Sequence, residues 1–356
     1  MNMSSIIHPT PSVHSAGAPP MPQKQQEPQR WALTLARNRE STLLVVLVLL
    51  IVGTSLANPA FLSWHNARDV LLNVAITAIL TAGMTVVMLM RHIDLSISST
   101  LGITAYAVGS LFIAIPGLPI PLAVFAGVLI GLFAGCINGA LVTLGRVPSL
   151  VATLSTLYIF RGIDYAWVHG GQINATSLPD AFSHIANGNF FGLPLLVIIA
   201  AVVLIAVGYY LKFYRGGREF YAIGSNPEAA TLAGIRVNKR VFNGFALSGA
   251  LAGLAGVLWL ARFGTVDAST GKGVELQVVA AAVVGSVAIT GGVGNVWGAT
   301  LGALLLGVIN ISLVVLRVSS FWQLAIQGGL IVLAIVGDTL LSRQIAKWSV
   351  RKREHA

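Results

Sequence analysis

Residues 212–240 read K-F-Y-R-G-G-R-E-F-Y-A-I-G-S-N-P-E-A-A-T-L-A-G-I-R-V-N-K-R, a polar interval with long apolar runs on both sides. Lys212, Arg215, Arg218, Arg236, Lys239 and Arg240 are opposed in it only by Glu219 and Glu228. Dense positive charge between hydrophobic spans marks a cytoplasmic loop, since basic loops are retained on that side of a membrane. Inside the loop, Asn226-Pro227-Glu228 is a helix start: a capping side chain, a proline, then an acid in the first turn. Gly234 can stop that helix after about two turns. The stretch reads either as a solvated connector whose charge sets topology, or as a docking element that passes force from a soluble partner to a membrane domain.

Composition fixes the class. The chain has 356 residues, 55% hydrophobic and 10% charged, where a soluble domain carries about 25% charge. It is therefore read as a multi-span helical membrane protein. The net charge of +10 does not point to nucleic acid, because the basic residues sit between and beyond apolar spans and no aromatics interleave with them for base stacking. Cys136, the single cysteine, can form no internal disulfide.

Taken in order, residues 1–40 form a tail rich in Pro, Ser and Gln, expected to be disordered and cytoplasmic. Apolar runs follow at about 42–57, 69–90, 97–115, 120–144, 149–163, 193–211, 241–260, 276–291, 296–316 and 322–338. The expectation is an all-α polytopic protein with about ten transmembrane helices and both termini cytoplasmic, a membrane domain over 41–340 and a basic tail over 341–356. On that count the cytoplasmic segments hold 17 of the 22 Lys and Arg residues. The run at 149–163 is short enough to be partly re-entrant.

Glycines recur every fourth residue at Gly127, Gly131, Gly135 and Gly139, and the spacing returns at Gly249/Gly253 and Gly298/Gly302. In a bilayer that pattern lets helix backbones approach closely. The runs 69–163 and 241–338 each hold four spans around glycine-dense helices, too faint a similarity to establish a repeat. The outer loop at 164–192 carries Asp164, His169, Asp180 and His184, at spacings that match no strong metal-ligand pattern. Asp94, in Arg91-His92-Ile93-Asp94-Leu95-Ser96, is an acid at the membrane edge that must pair or line water; it reads as a helix cap or as a pathway residue.

The other interior polar groups are neutral, among them Asn73, Thr77, Asn138, Thr153, Asn243, Gln277, Asn310 and Gln327. Such hydroxyls and amides suit a small uncharged polyol, and serve equally as polar glue between helices. The scarcity of midplane charge disfavours an ion-coupled carrier. No phosphate-binding loop exists beyond the superficial Thr270-Gly271-Lys272-Gly273, and no nucleophile–base constellation marks an enzyme. A motor, if there is one, sits on another chain, which favours the docking reading of 212–240.

Four stretches carry a resemblance: Gly217–Ile235 followed by Phe245–Val257; I-D-L-S at 93–96; P-S-L-V-A-T-L-S-T-L-Y-I-F-R-G at 148–162; and the run 271–294 ending G-S-V-A-I-T-G-G-V-G. Together they resemble the permease subunits of bacterial ABC importers for monosaccharides of the ribose, xylose and rhamnose type, a family that includes autoinducer-2 permeases. Two positions depart from its usual pattern: Arg91-His92 stands where a glycine pair is usual, and Ser286 where a second glycine is common. The resemblance implies a non-enzymatic subunit of the bacterial inner membrane that binds no cofactor itself. Its partners would be a cytoplasmic ATPase using ATP and Mg, an extracytoplasmic sugar-binding protein, and a second permease copy, identical or not. It makes Glu228, Ala229, Ala230 and Gly234, with Arg218, the ATPase-coupling residues. Asp94, Asn138, Thr153, Gln277 and Asn310 are expected, from polarity and position, to line the path. The cargo is a small neutral sugar, rhamnose or a pentose favoured; autoinducer-2 import is the alternative, ahead of ion-coupled sugar transport.

Overall fold

The computed structural model describes residues 39–190 and 192–319, with scattered positions between 321 and 336. Of the tail expected at 1–40, all but Arg39 and Glu40, which open the first helix, lies outside the described residues, as do the tail at 341–356, most of the run at 322–338, and Gln327. The helices are α1 (Arg39–Ala57), α2 (Trp64–Leu89), α3 (Ile97–Ala114), α4 (Ile120–Thr143), α5 (Ser149–Val168), α6 (Asp180–Asn187), α7 (Leu195–Phe213), α8 (Arg215–Ser225), α9 (Pro227–Leu232), α10 (Val237–Phe263), α11 (Val274–Val284) and α12 (Val296–Val315). A two-residue hairpin, Asn189–Phe190 against Leu193–Pro194, precedes α7.

Among the described residues seven helices are long and apolar enough to cross a membrane: α1, α2, α3, α4, α7, α10 and α12. This corrects the expectation of about ten. The expected span at 149–163 becomes α5, which is long but carries Arg161 and Asp164 and turns Ser149, Thr153 and Thr156 toward polar partners. The run at 276–291 yields only the eleven residues of α11 before Gly285 and Ser286 break it. At 1.5 Å per residue such a helix spans about half the hydrocarbon core.

The core is a pair of long helices, α2 and α10, with α4, α3 and α12 packed around them. α2 is almost wholly buried, from Val74 through Leu89, whereas α1 leaves Leu44, Val48, Leu49 and Leu56 on the outside, as a helix against lipid does. The glycine series closes the α4–α10 seam. A Cβ on Gly131 would overlap the Gly249 carbonyl, and one on Gly135 the Phe245 carbonyl. Backbone meets backbone there, so dispersion contacts replace the hydrophobic effect that lipid does not supply.

The α2 and α10 helices run in opposite directions and end alike. After α2, Arg91 takes φ +68°, and after α10, Gly264 takes φ +65°. Three residues beyond each lies an aspartate that ties the serine two places on. Asp94 Oδ1 accepts from Ser96 N at 3.1 Å and from Ser96 Oγ at 2.7 Å; Asp267 Oδ1 accepts from Ser269 N and Oγ, both at 2.8 Å. Arg91–Ser96 and Gly264–Ser269 are thus the same turn, built at opposite ends of two antiparallel helices.

Candidate functional site

Helix α5 bolts both turns in place. Thr153 Oγ1 donates to the Ile93 carbonyl at 3.2 Å, and Arg161 Nη1 donates to the carbonyls of Ala268 at 2.9 Å and Thr270 at 2.7 Å. Those contacts account for a charged residue in a helix that meets the membrane. Asp164, fully buried, stands 3.8 Å from the Arg161 guanidinium.

Around Asp94 the polar groups close into a knot. Ser248 Oγ donates to Asp94 Oδ2 at 3.0 Å, Asn138 Nδ2 donates to Ser96 Oγ at 2.7 Å, and Thr156 Oγ1 donates to Asn138 Oδ1 at 2.6 Å. Asp94, Asn138 and Thr153 therefore come together as a group, and none of them is more than 1% exposed. In this conformation they seal α3, α4, α5 and α10 against one another. Asp94 does not cap α3: Ser96 holds that position, and Asp94 closes the turn before it. Each carboxylate oxygen is satisfied, as burial of an acid demands.

Gln277 and Asn310 lie elsewhere, in a cleft of about 310 Å³ where α2, α10, α11 and α12 converge. Asn73 and Thr77 face it from α2, Trp259, Arg262 and Phe263 from α10, and Gln323 from beyond α12. The volume is at the lower end of small-molecule pockets, roughly 300–1,000 Å³. Its lining mixes amides and a hydroxyl with aromatic surface, and one cation. Arg262 stacks on Phe263 at 4.7 Å, and its Nη1 is buried without a hydrogen-bond partner. Sequence reasoning missed Trp259 and Arg262. The signal was a guanidinium in the last turn of a long apolar helix, one turn from a tryptophan.

At the opposite end of α2 stands the segment between α7 and α10. α8 is held against the membrane domain by Arg91, which donates to the carbonyls of Gly224 at 2.6 Å and Ser225 at 2.8 Å. Asn226 then caps α9, its Oδ1 accepting from Glu228 N and Ala229 N at 3.0 Å each. Gly234, at φ +79°, ends it: Ile235 N returns to the Ala230 carbonyl and Gly234 N to that of Thr231. The cap and stop fall where the sequence places them. Glu228, Ala229, Leu232 and Gly234 are exposed, Leu232 by 90%, while Ala230 is buried against the fold. Arg218 is exposed but apart from α9, in a groove with Tyr221, Asn295 and Trp297.

Arg215 and Arg240 grip Glu219 from two sides, Arg215 Nε at 2.7 Å. Burial alone would raise the Glu219 carboxyl, but the hydrogen bonds from Arg240 and Arg215 outweigh it and hold the group below its usual value. Among the described residues no group of three or more His, Cys, Asp or Glu side chains is placed to hold a metal ion.

Residues 66–335 match the family model described as branched-chain amino acid transport system / permease component. The chain is 36% identical over 299 residues to the ribose import permease protein RbsC of Haemophilus influenzae, covering 83% of this chain and 92% of that one. It is 35% identical over 303 residues to RbsC of Escherichia coli K12, with 84% and 93% covered. It is 36% identical over 314 residues to the autoinducer 2 import system permease protein LsrC of Klebsiella pneumoniae, with 88% and 90% covered. No solved structure matches it.

Proposed function

Since the chain belongs to the bacterial ABC-importer permeases of this family, close to the RbsC and LsrC types, we propose that it carries a small neutral monosaccharide, a pentose or rhamnose, driven by a separate ATPase docked on α9. The chain is a sugar-type importer permease subunit of the bacterial inner membrane, multi-pass and non-catalytic, and such permeases work with a cytoplasmic ATPase and a periplasmic binding protein.

The observation that carries the cargo reading is the cleft. Asn73, Thr77, Gln277 and Asn310 present amide and hydroxyl groups at the edge of an indole, the chemistry that grips a polyol through its hydroxyls and stacks on its apolar face. Among its described lining residues Arg262 is the one charge, so an amino-acid zwitterion would find no acid for its ammonium group. A pentose agrees with the ribose named for one set of relatives; autoinducer-2, named for the other, is a similarly small polyoxygenated solute and is the second reading.

The coupling reading rests on α9. It is capped at both ends, exposes Glu228, Ala229 and Leu232, and sits on the face that also carries Arg91 and the loop's cations, the side that basic loops take in a bacterial membrane. A second permease copy would complete the path. ATP-driven closure of the partner would press the two α9 segments together and turn the cavity outward; hydrolysis would reset it.

The test is ATP-dependent uptake in proteoliposomes holding the permease, its ATPase and its binding protein, with labelled D-ribose, L-rhamnose and autoinducer-2 compared. Uptake of one of the sugars, weakened by Gln277→Leu or Asn310→Leu with ATP hydrolysis retained, supports the reading. Uptake that persists without ATP and collapses with a proton uncoupler refutes it.

A further inference from the structure

We propose that the basic pocket between α8 and the start of α10 binds the phosphate group of an anionic bilayer lipid. The pocket, about 240 Å³, is lined by Arg215, Glu219, Gly234, Arg236, Lys239 and Arg240. Among its described lining residues Glu219 is the one acid, and it is already gripped by the Nε groups of Arg215 and Arg240. Arg236 and Lys239 have no side-chain partner among the described residues, and the set keeps an excess of positive charge. Cations gathered in one small space repel each other until a counter-charge enters. Arginine forks suit a phosphate in particular, since they offer paired N–H donors to its oxygens.

The height of the pocket selects the source of that phosphate. Tyr209, Tyr210, Phe213 and Tyr214 cluster at the end of α7, with Tyr209–Phe213 ring centroids 4.7 Å apart and Tyr210–Tyr214 stacked at 5.7 Å. Tyr209, Phe213 and Tyr214 are each more than half exposed. Such amphipathic rings collect at the boundary between hydrocarbon and headgroups. This girdle touches the pocket wall: a Cβ on Gly216 would overlap the Tyr210 hydroxyl and lie 3.2 Å from Arg240 Nη1. The cations therefore open at headgroup level, within reach of a lipid whose tails lie along α7. Basic pockets beside membrane helices bind anionic headgroups on this principle. The site is separate from the sugar cleft and does not depend on the cargo.

The test uses the full-length purified chain, delipidated in detergent, with phosphatidylglycerol or phosphatidylcholine added back and retained lipid counted by native mass spectrometry. Preferential retention of phosphatidylglycerol is expected. The pair Arg236→Gln with Lys239→Gln should weaken it about tenfold or more, each charge near a membrane surface being worth about 1 kcal/mol. Lys272→Gln, at the other end of the molecule, should leave it unchanged. Each single pocket variant should give an intermediate loss, which keeps the test valid if the double variant unfolds. Equal retention of both lipids, or an unaltered preference in the pocket variants, overturns the proposal. Displacement of the lipid by millimolar inorganic phosphate overturns the lipid source and leaves a free-anion site.

Discussion

Arg91 reaches across from the end of α2 to the carbonyls of Gly224 and Ser225, the last of α8, while its own backbone sits in the left-handed region at φ +68°. A charged donor on exposed helix-end carbonyls satisfies groups that the helix cannot satisfy itself and complements its dipole. Gly291 packs against the Arg91 side chain, and Gly292 N donates to the Leu89 carbonyl at 2.9 Å, so the end of α2, the end of α8 and the segment after α11 meet at this staple. Arg91→Gly relieves the backbone but removes the staple, and Arg91→Ala removes the staple and keeps a Cβ at positive φ. Thermal unfolding should rank native above Arg91→Gly above Arg91→Ala, the first step costing about 1–2 kcal/mol after backbone relief. A more stable Arg91→Gly would show that the staple is worth less than the backbone relief.

The glycine seam makes a sharp contrast. Gly131→Ala forces a methyl into the Gly249 backbone and should cost about 1–3 kcal/mol or more, whereas a Cβ on Gly162 meets nothing within 4 Å. Gly162→Ala should leave the unfolding midpoint unchanged or slightly raised. Equal effects at the two positions would refute the seam.

Asp94→Ala leaves the Ser96 N–H and the hydroxyls of Ser96 and Ser248 without their acceptor inside the fold. Unsatisfied buried groups cost about 1–3 kcal/mol each, so the loss should approach total failure to fold in detergent. Asp94→Asn keeps an acceptor for Ser96, and the Ser248 hydroxyl can turn to accept, so this variant should survive. Size-exclusion profiles of the two variants decide it.

Glu228→Arg should leave insertion and fold intact, because Glu228 is exposed, yet lower transport and sugar-stimulated ATP hydrolysis in the assembled importer. Normal transport would make Glu228 an ordinary surface acid. Asn226→Ala, which strips the cap from α9, should cost about 1 kcal/mol and loosen the same element, seen as faster amide exchange at Glu228 and Ala229.

Protonation of Glu219 should release the α8–α10 bridge. Its folded value is depressed, so the stabilisation is complete above the unfolded value and is lost as pH falls through the folded one. Amide exchange across α8 should rise in that acidic window, and Glu219→Gln should show the faster exchange at every pH. A flat profile in the native chain would remove the bridge from the account.

The α9 element was legible because its chemistry is local: a capping amide, a proline and a stop glycine act within one or two turns of where they stand. The span count was not. Hydropathy registers a run of apolar residues, but α11 stops after eleven because Gly285 packs on Gly298, a contact made by a distant part of the chain. α5 is polar on a face whose partners, the two turns and Asn138 of α4, lie elsewhere in the chain. What the ends of α2 and α10 share is a left-handed corner and an Asp-x-Ser turn, too short a pattern to stand out in the sequence. Both departures from the family pattern fall at left-handed corners, Arg91 at φ +68° and Ser286 at φ +70°, where glycine costs least. Of the five expected path residues, burial separates Asp94, Asn138 and Thr153 from Gln277 and Asn310, and which face of a helix turns to a cavity depends on what packs behind it.

Where α4 and α10 cross at Gly131, Gly135, Gly249 and Gly253, peptide planes meet directly, with Val257 and Phe242 flanking the contact. Two such helices cannot slide without lifting apart, so they travel as one plank. Any alternation the importer performs then keeps that pair together and is taken up elsewhere in the fold. The glycine stripe thereby sets which helices move as one piece.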